Sequence, residues 1–467
     1  MTTTSSTGLL VQLRRAGYTG AVSFPGDPSY PADSAAWNLM ADQHPAAVAL
    51  PDDAEDVRRL VVAAVEAGLR VAPQSTGHNA TPLASLADAV LLKTDRLHDV
   101  VIDAERRTAR VGAGALWGDV AAAARKEGLT ALHGSSPTVG VAGYLLGGGL
   151  SWFARSHGLA CNHVVGIDLV LADGRHVHAD AEENVELFWA VRGGGGSFGV
   201  VTAFEIELLE VESVYAGMLL WDQVHAERVL RGWRDWAATA PESVTTSFRL
   251  INFPPLPEIP DFLRGRRVVV VDGAAQADDA LGSALLAPLR DLEPEIDTFA
   301  STGTDALVRL HMDPEDPVPV VSDSVVLSSL SDDAACDLLT VAGPEAPPAL
   351  LIVELRQLGG ALAYRQPGGA LNHLPGEFLV WAGAITPTPE AAAGARHDTR
   401  AVVDAVSRHG VRPAYLNFVE NLTDVRRFFD AITWRQLVGI KSAVDPTSVF
   451  VANHPIPTLF EDGAPTT

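Results

Sequence analysis

Residues 134–149 read Gly134-Ser-Ser-Pro-Thr-Val-Gly-Val-Ala-Gly-Tyr-Leu-Leu-Gly-Gly-Gly149, and the fold is decided by this stretch. Its sixteen residues include six glycines, which alternate with valines and leucines. Flexible linkers combine glycine with serine and lack such apolar residues. Glycine in a packed segment indicates close approach of the backbone to another group, so the stretch favours a wall against a planar cofactor. It is not the Gly-x-Gly-x-x-Gly of a dinucleotide fold, because no strand directly precedes it with a suitable helix after it.

Three further stretches carry chemistry. Pro73-Gln-Ser-Thr-Gly-His-Asn79 follows an apolar strand, and Gly77 lets its amides approach phosphate oxygens. Taken alone, this loop is better interpreted as a polar turn. The segment 158–174 ends in Ala172-Asp-Gly174, which predicts a hairpin turn. The segment 187–201 contains four consecutive glycines, Gly193 to Gly196, which predict a loop.

The surrounding sequence alternates strands and helices. Residues 46–50 predict a strand, Asp52 and Asp53 cap a helix to about Ala67, and residues 69–72 predict the next strand. Further predicted elements are strands at 90–92, 100–102 and 109–111 and a helix at 117–127. From about Trp221, spaced strands at 268–272, 324–327, 350–354 and 378–381 alternate with helices such as 275–289. This pattern predicts an antiparallel sheet with helices on one side, followed by a helix at 423–444.

The composition bounds the class of protein. A chain of 467 residues predicts two domains or three, and 47% apolar with 20% charged residues is typical of a compact soluble protein. No run of 18 apolar residues predicts a membrane span, and the N-terminus lacks a secretory pattern, which predicts a cytoplasmic protein. The net charge of −24 argues against nucleic acid and acidic membranes as partners. Two cysteines, without metal-ligand spacing, predict neither a disulfide framework nor a metal site.

The four stretches, with Tyr415-Leu-Asn417, Leu437-Val-Gly-Ile-Lys441, Asp445-Pro446 and Asn453-His454, resemble the berberine-bridge-enzyme-like branch of the vanillyl-alcohol-oxidase flavoproteins, which have the PCMH-type FAD-binding fold. The resemblance spans residues 38–211 and 414–456. It implies an α+β fold of two domains. Residues 1–208 and 409–467 would form the FAD-binding domain, and residues 209–408 would form a substrate domain, an antiparallel sheet covered by helices.

The resemblance also assigns the cofactor site. It implies that residues 75–79 wrap the pyrophosphate of FAD and that His78 bonds covalently to the flavin, the alternative being a histidine that only hydrogen-bonds there. Ser136 occupies the position of a cysteine that adds a second link in many relatives, so we expect FAD to be attached through His78 alone. The cofactor-binding residues implied are Ser75, Thr76, Gly77, His78, Asn79, Ser135, Ser136, Val139, Gly140, Gly143, Tyr144, Gly147, Gly148, Asn162, Val164, Gly199, Val201, Tyr415, Asn417 and Asn453.

Four residues are the catalytic candidates: Tyr415, Tyr144, Tyr364 and Gln357. Tyr415 matches a tyrosine beside the flavin in relatives, but it could act as a base only with a lowered pKa. Tyr144 either faces the substrate or is packed, and Tyr364 stands where plant members have a glutamate base. Glu354 and Gln357 alternate to opposite faces of one strand, and we expect Gln357 to point inward. His373 and His454 are interpreted as structural.

The resemblance implies an FAD-dependent oxidase of a small molecule that carries a hydroxyl or a phenol, such as an alcohol, a sugar or a natural-product intermediate. Hydride would pass to the flavin, and molecular oxygen would regenerate it and give hydrogen peroxide. Val139 resembles the oxidases at a position that governs oxygen access, although it is also explained by packing. The alternatives are a dehydrogenase with a quinone or protein as electron acceptor, and a flavin-binding protein without turnover.

Overall fold

The computed structural model describes residues 2–83, 85–346 and 350–461. They form three β-sheets with helices packed against them. The α+β fold class, with an antiparallel sheet covered by helices, is confirmed. The domain boundaries near residues 208 and 408 stay a prediction. No helix in the described ranges is both long enough and apolar enough to cross a membrane.

The first sheet carries the loop of residues 75–79. Its elements are α1 (Thr2–Ala16), β1 (Ala21–Ser23), α2 (Tyr30–Asp33), β2 (Ala47–Leu50), α3 (Ala54–Glu66), β3 (Arg70–Gln74) and β4 (Ala89–Lys93). The strand order is β1-β2-β4-β3, with the last three strands parallel. The Asp53 carboxylate accepts a hydrogen bond from the Asp56 amide and so caps α3, as predicted. Parallel pairing directs the C-terminal end of β3, and the loop after it, to one edge of the sheet.

The second sheet is antiparallel and packs on the glycine-rich segment. Its elements are β5 (Val100–Asp103), β6 (Thr108–Gly112), α4 (Trp117–Arg125), α5 (Val141–Leu146), α6 (Ala154–His157), β7 (Val164–Val170), β8 (His176–Asp180), α7 (Val185–Val191) and β9 (Val200–Glu207). The order is β5-β6-β9-β7-β8. The hairpin predicted from Asp173-Gly174 joins β7 to β8 and is confirmed.

The third sheet has two unlike faces. Its elements are β10 (Ser213–Asp222), α8 (Ala226–Ala237), β11 (Val244–Asn252), β12 (Arg267–Ala275), α9 (Asp279–Arg290), β13 (Ile296–Asp297), β14 (Ala300–Gly303), β15 (Val320–Leu327), α10 (Asp332–Ala342), β16 (Ile352–Gln357), β17 (Phe378–Ile385) and α11 (Pro389–Val406). The central order is β10-β12-β11-β16-β17-β15. Phe248, Leu355 and Val380 alternate onto the face that packs against Trp233 of α8 in one buried apolar cluster. The opposite face therefore receives the polar residues of the same strands.

The C-terminal segment returns to the first two sheets. Helix α12 (Ala431–Val444) begins at Asp430, whose carboxylate accepts hydrogen bonds from the amides of Ile432 and Thr433. The predicted start at residue 423 is wrong, because residues 425–428 form only a 3-10 turn before this cap.

A buried ion pair then fixes the last segment of the fold. The Lys441 ammonium pairs with the Asp445 carboxylate and donates to the Ser197 carbonyl at 2.9 Å. Asp445 also accepts hydrogen bonds from the amides of Val449 and Phe450 at 2.8 and 3.0 Å. Phe450 pairs with Val71 of β3, which brings residues 451–453 next to the loop of residues 75–79.

Candidate functional site

A cavity of about 410 Å³ lies where parts of the chain from both ends and the middle meet. The first sheet contributes residues 73–80, and the glycine-rich segment contributes most of residues 134–147. The polar face of the third sheet forms another wall, and residues 416–418 and 451–453 complete the lining. The loop of residues 75–79 and the glycine-rich segment of residues 134–149, both singled out from the sequence, therefore line the same cavity.

The loop after β3 holds His78 in a fixed orientation. The His78 ring stacks on the Trp37 ring with centroids 3.9 Å apart, and its Nδ1 lies 2.8 Å from Thr76 Oγ1 in a hydrogen bond. Gly77 has φ +83°, and a Cβ there would lie 2.8 Å from Ala36 Cβ, so a side chain would not fit. Burial lowers the pKa of His78 to about 3, so the imidazole is neutral at physiological pH.

Three buried polar atoms of this loop have no hydrogen-bond partner among the described residues: Ser75 Oγ, His78 Nε2 and Asn79 Oδ1. All three residues line the cavity. Buried polar groups in proteins are nearly always hydrogen-bonded. Three such atoms at one cavity wall indicate a site for a polar ligand.

Two glycines let neighbouring segments lie directly on helix α5. A Cβ on Gly140 would lie 2.2 Å from Ser75 Oγ, and one on Gly147 would lie 1.7 Å from Asn417 Oδ1. Asn417 donates from Nδ2 to the Tyr144 carbonyl at 2.9 Å and to the Tyr415 hydroxyl at 3.3 Å. The glycine pattern therefore brings the loop from one end of the chain and the segment from the other against the same short helix.

The polar face of the third sheet carries a charged cluster, which we define as Arg249, Asp272, His311, Asp313, Glu354 and Arg356. In the strand register, Arg249 of β11 lies opposite Glu354 of β16, and Ser247 lies opposite both Arg356 and Asp272. Arg249 forms an ion pair with Asp272. Arg356 donates from Nε to Glu354 Oε1 at 2.7 Å.

Burial and neighbouring positive charges have opposite effects on the pKa values of the acids in this cluster. Burial raises the pKa of Glu354, but the charges of Arg356 and His311 outweigh burial and lower it to about 2. Burial raises the pKa of Asp313, although His311 and Arg249 partly offset that effect. Glu354 is therefore ionised at neutral pH, whereas Asp313 holds its proton to a higher pH than an ordinary aspartate.

Comparison with known proteins indicates which ligand binds to the part of the chain that contains the loop of residues 75–79 and the glycine-rich segment. Residues 45–180, which include the loop of residues 75–79 and the glycine-rich segment, match a family model described as an FAD binding domain. The chain contains an FAD-binding domain. The predicted cofactor, FAD, is therefore confirmed.

Two curated relatives match part of the sequence. One is glucooligosaccharide oxidase of Sarocladium strictum, 35% identical over 211 residues, which are 44% of this chain and 42% of that protein. Another is (R)-6-hydroxynicotine oxidase of Paenarthrobacter nicotinovorans, 36% identical over 203 residues, which are 43% of this chain and 44% of that protein. The match thus spans less than half of the length of either relative.

Solved structures match nearly the whole chain. Wild-type BBE-like 1 of Physcomitrella patens superposes with a TM-score of 0.84 at 21% identity, over 96% of this chain and 99% of that one. A glucooligosaccharide oxidase from Acremonium strictum, described as carrying a 6-S-cysteinyl, 8α-N1-histidyl FAD, gives a TM-score of 0.82 at 22% identity, over 97% of this chain and 99% of that one. The fold is that of the berberine-bridge-enzyme-like flavoproteins, as the resemblance implied.

The residues that line the cavity fit FAD. The unpartnered Ser75 Oγ, His78 Nε2 and Asn79 Oδ1 supply polar contacts, and Gly143, where no described atom outside its own helical backbone would lie within 4 Å of an added Cβ, leaves space beside the backbone of α5. Sixteen of the predicted cofactor-binding residues line the cavity: Ser75, Thr76, Gly77, His78, Asn79, Ser135, Ser136, Val139, Gly140, Gly143, Tyr144, Gly147, Gly199, Val201, Asn417 and Asn453. Their individual roles toward FAD stay predictions.

Four predicted cofactor residues do not line the cavity. Gly148 packs against Leu371, since a Cβ there would lie 2.8 Å from Leu371 Cδ2. Asn162 donates to the Leu371 carbonyl and accepts from the Gly369 amide at 2.9 Å. Val164 is part of the apolar core. Tyr415 is 1% exposed and lies behind two lining residues: its hydroxyl accepts from Asn417 Nδ2, and its ring packs on Phe418.

The predicted catalytic residues need correction. Gln357 faces the helices rather than the cavity: its Oε1 accepts from Thr246 Oγ1 at 3.1 Å and its Nε2 donates to Ala237. Tyr364 is 69% exposed and does not line the cavity, because the chain turns outward at Gly359 and Gly360, both with positive φ.

Neither buried tyrosine is suited to act as a base. Burial raises the pKa of Tyr415 and of Tyr144, the opposite of what the base role requires. Tyr144 does line the cavity, and its hydroxyl donates to the Leu132 carbonyl at 3.0 Å. Both hydroxyls therefore have hydrogen-bond partners, and the catalytic roles of Tyr415 and Tyr144 stay predictions that their raised pKa values do not support.

Proposed function

We propose that this protein is an FAD-dependent oxidase of small organic molecules that bear a hydroxyl or phenol, with its FAD attached through His78 alone. The observation that carries the proposal is the state of His78: buried, neutral, stacked on Trp37 and with Nε2 unpartnered at the cavity wall. The two sequence relatives named above are both described as oxidases, which supports the same reaction class.

The geometry supports a covalent link at His78. A neutral imidazole keeps the lone pair that a nitrogen nucleophile needs. Forming such a bond would release one proton from the imidazole N–H and one from the flavin methyl carbon, and these two protons and the two electrons released would convert molecular oxygen to hydrogen peroxide. The structurally similar glucooligosaccharide oxidase is described as having both a histidyl and a cysteinyl link. Here Ser136 lines the cavity, and its hydroxyl lies 3.3 Å from Thr138 Oγ1, so no thiol is available at that position for a second link.

When bound, FAD supplies a two-electron oxidant, and the chain's own residues do the rest. Residues 75–79 and 140–147 hold the cofactor, while Asn417 fixes helix α5 against the C-terminal segment. The charged face of the third sheet binds and orients the polar end of the substrate. Val139 lines the same cavity, and its resemblance to the oxidases at this position supports access of oxygen, so we expect hydrogen peroxide as the second product.

The covalent link is tested by denaturing the protein in acid and asking whether the yellow colour stays with the chain. We expect retention in wild type and release in His78→Ala. His373→Ala is the matched control, because His373 lies outside the cavity lining, and it should retain the colour. Colour that stays with His78→Ala would contradict the assignment.

The reaction is tested by adding a panel of alcohols, sugars and phenols and following bleaching of the flavin absorbance. We expect at least one compound to bleach the flavin and reoxidation in aerated buffer within seconds, with hydrogen peroxide formed. Slow reoxidation would indicate a dehydrogenase with a quinone or protein acceptor. No bleaching by any compound would indicate a flavin-binding protein without turnover.

A further inference from the structure

The charged cluster contains two internally paired arginines and one acid that has no hydrogen-bond or ion-pair partner among the described residues. Arg249 is held by Asp272, and Arg356 is held by Glu354, which also accepts from Ser247 Oγ at 2.9 Å. Asp313 lines the same cavity, and within the described chain its carboxyl makes no hydrogen bond or ion pair. The paired charges compensate one another, so Asp313 is the carboxyl that remains available to a molecule in the cavity.

The backbone next to Asp313 is strained, and the strained conformation places Asp313 in the cavity wall. Met312 has φ +54°, a left-handed conformation that residues other than glycine rarely adopt. Its side chain is exposed, while His311 and Asp313 on either side of it both line the cavity. Strain of this kind persists where the surrounding structure imposes it, and it concentrates at functional sites. Here it directs two alternate residues of one loop into the cavity.

The environment of Asp313 suits proton transfer. The charged groups that face it are His311 from its own loop, Arg249 from β11, and Glu354 and Arg356 from β16. Burial raises the pKa of Asp313 despite the two arginines. A carboxylate whose pKa is raised is a better proton acceptor than an ordinary carboxylate, because general bases work best when their pKa approaches the working pH.

We propose that Asp313 is the proton acceptor of the oxidation. This inference rests on the proposed function. The substrate's C–H bond breaks and its electron pair leaves as hydride, so that the bound flavin is reduced. The substrate's O–H bond breaks and its proton passes to an Asp313 carboxylate oxygen, which leaves a carbonyl group in the product. His311 and Arg249 position this loop and are not themselves the acceptor: Arg249 donates from Nη1 to the His311 carbonyl at 3.2 Å.

Two other acids line the cavity and are weaker candidates. Glu354 is held by Arg356 and Ser247, and its pKa of about 2 makes it a poor base. Glu420, whose pKa burial raises to about 7, accepts a hydrogen bond from Asn38 Nδ2 at 3.4 Å. Asn38 also bonds to both backbone groups of Val320, so Glu420 belongs to a junction between chain segments.

The test compares Asp313→Asn with Asp316→Asn, the same chemical change three residues along in the same loop, where Asp316 is exposed and outside the cavity lining. With the holoenzyme and a substrate that bleaches wild type, we expect Asp313→Asn to lower kcat/KM by about 10²–10⁴-fold. It should also abolish the rise of the rate with pH that follows ionisation of Asp313. Asp316→Asn should behave as wild type, and both variants should retain FAD.

A second readout does not depend on activity. Because the pKa of Asp313 is raised in the folded protein, the native state binds more protons than the unfolded state, and wild type loses stability as pH rises from about 4. Asp313→Asn should therefore match wild type in melting temperature at pH 4 and exceed it at pH 8. A structural role would instead lower the melting temperature at both pH values.

The outcomes separate this inference from the proposed function. If wild type is bleached by a substrate and Asp313→Asn is bleached equally fast, the inference is wrong and the proposed function stands. If Glu420→Gln, but not Asp313→Asn, loses the rate and its pH dependence, Glu420 is the acceptor and the inference is again wrong. If no compound bleaches wild type, the proposed function fails, and the inference fails with it.

Discussion

The contact between Gly147 and Asn417 predicts that Gly147→Ala destabilises the protein when Asn417 is present and does not destabilise it when Asn417 is replaced by alanine. Substituting Gly147→Ala would place Cβ 1.7 Å from Asn417 Oδ1, 2.6 Å from Cγ and 3.1 Å from Nδ2. Gly147 has φ −96°, which alanine adopts freely, so the cost comes from the contact and not from the backbone. Asn417 must therefore move away from α5.

The magnitude follows from what Asn417 loses. It donates to the Tyr144 carbonyl and to the Tyr415 hydroxyl, and each hydrogen bond contributes about 0.5–1.5 kcal/mol. Replacing glycine by alanine also restricts the unfolded chain, which stabilises by about 0.4–1 kcal/mol where no clash occurs. We expect Gly147→Ala to lower the free energy of unfolding by about 1–2 kcal/mol. In an Asn417→Ala background, the three nearest atoms are gone, and the same substitution should be neutral or stabilising.

The assay is urea unfolding followed by circular dichroism, on wild type, both single variants and the double variant. Gly394→Ala in α11 is the control, because no described atom outside its own helical backbone lies within 4 Å of the added Cβ, and it should stabilise by about 0.5–1 kcal/mol. Equal effects of Gly147→Ala in the two backgrounds, to within about 0.5 kcal/mol, would show that Asn417 is not the contacted group and would refute the reasoning.

Three further predictions concern the cavity wall. Glu354 has a pKa lowered to about 2 in the folded protein. The stability that its ionised form contributes is therefore fully present above the pKa of an unfolded-state glutamate, about 4.3, and is lost as pH falls toward 2. Over that range of pH, the melting temperatures of Glu354→Gln and wild type should converge. Glu420 has a pKa raised to about 7 by burial, so wild type should lose stability from about pH 4.3 to 7 relative to Glu420→Gln, and an unchanging difference in melting temperature would contradict the shift. Tyr364→Phe should leave kcat/KM within about twofold of wild type, because the exposed hydroxyl lies outside the cavity; a tenfold loss, about 1.4 kcal/mol, would return Tyr364 to the catalytic set.

The sequence predicted those parts of the site that are local. The loop of residues 75–79 and the glycines of residues 134–149 each indicate, from a few neighbouring residues alone, that the backbone lies close to another group. Both segments line the cavity. The choice between Glu354 and Gln357 was wrong for a physical reason. Period-two alternation assigns them to opposite faces but does not say which face the helices cover, and Trp233 of α8 settles that only in three dimensions.

The charged cluster could not be assembled from the sequence. Arg249 and Asp272 are 23 residues apart, and Arg249 and His311 are 62 apart, so only the strand register brings them together. A signal was nonetheless present. Charged side chains at alternate positions of apolar strands, such as Glu354 and Arg356, indicate a strand face that does not join the apolar core. Asp313 carried no such signal, since it follows a short turn and precedes Pro314.

The cavity lining includes residues that are synthesised long after the His78 loop. The side chain of Asn453 donates to the carbonyl of Asn79 at 3.1 Å across 374 residues of chain. At about 5–20 residues per second, roughly 20–75 s of synthesis separate the two. Throughout that interval the nascent chain has the His78 loop but not the segment that completes the cavity around it. We therefore expect FAD to load only after residue 453 has been made, and chains truncated before residue 451 to accumulate without colour even though they contain His78 and the whole glycine-rich segment.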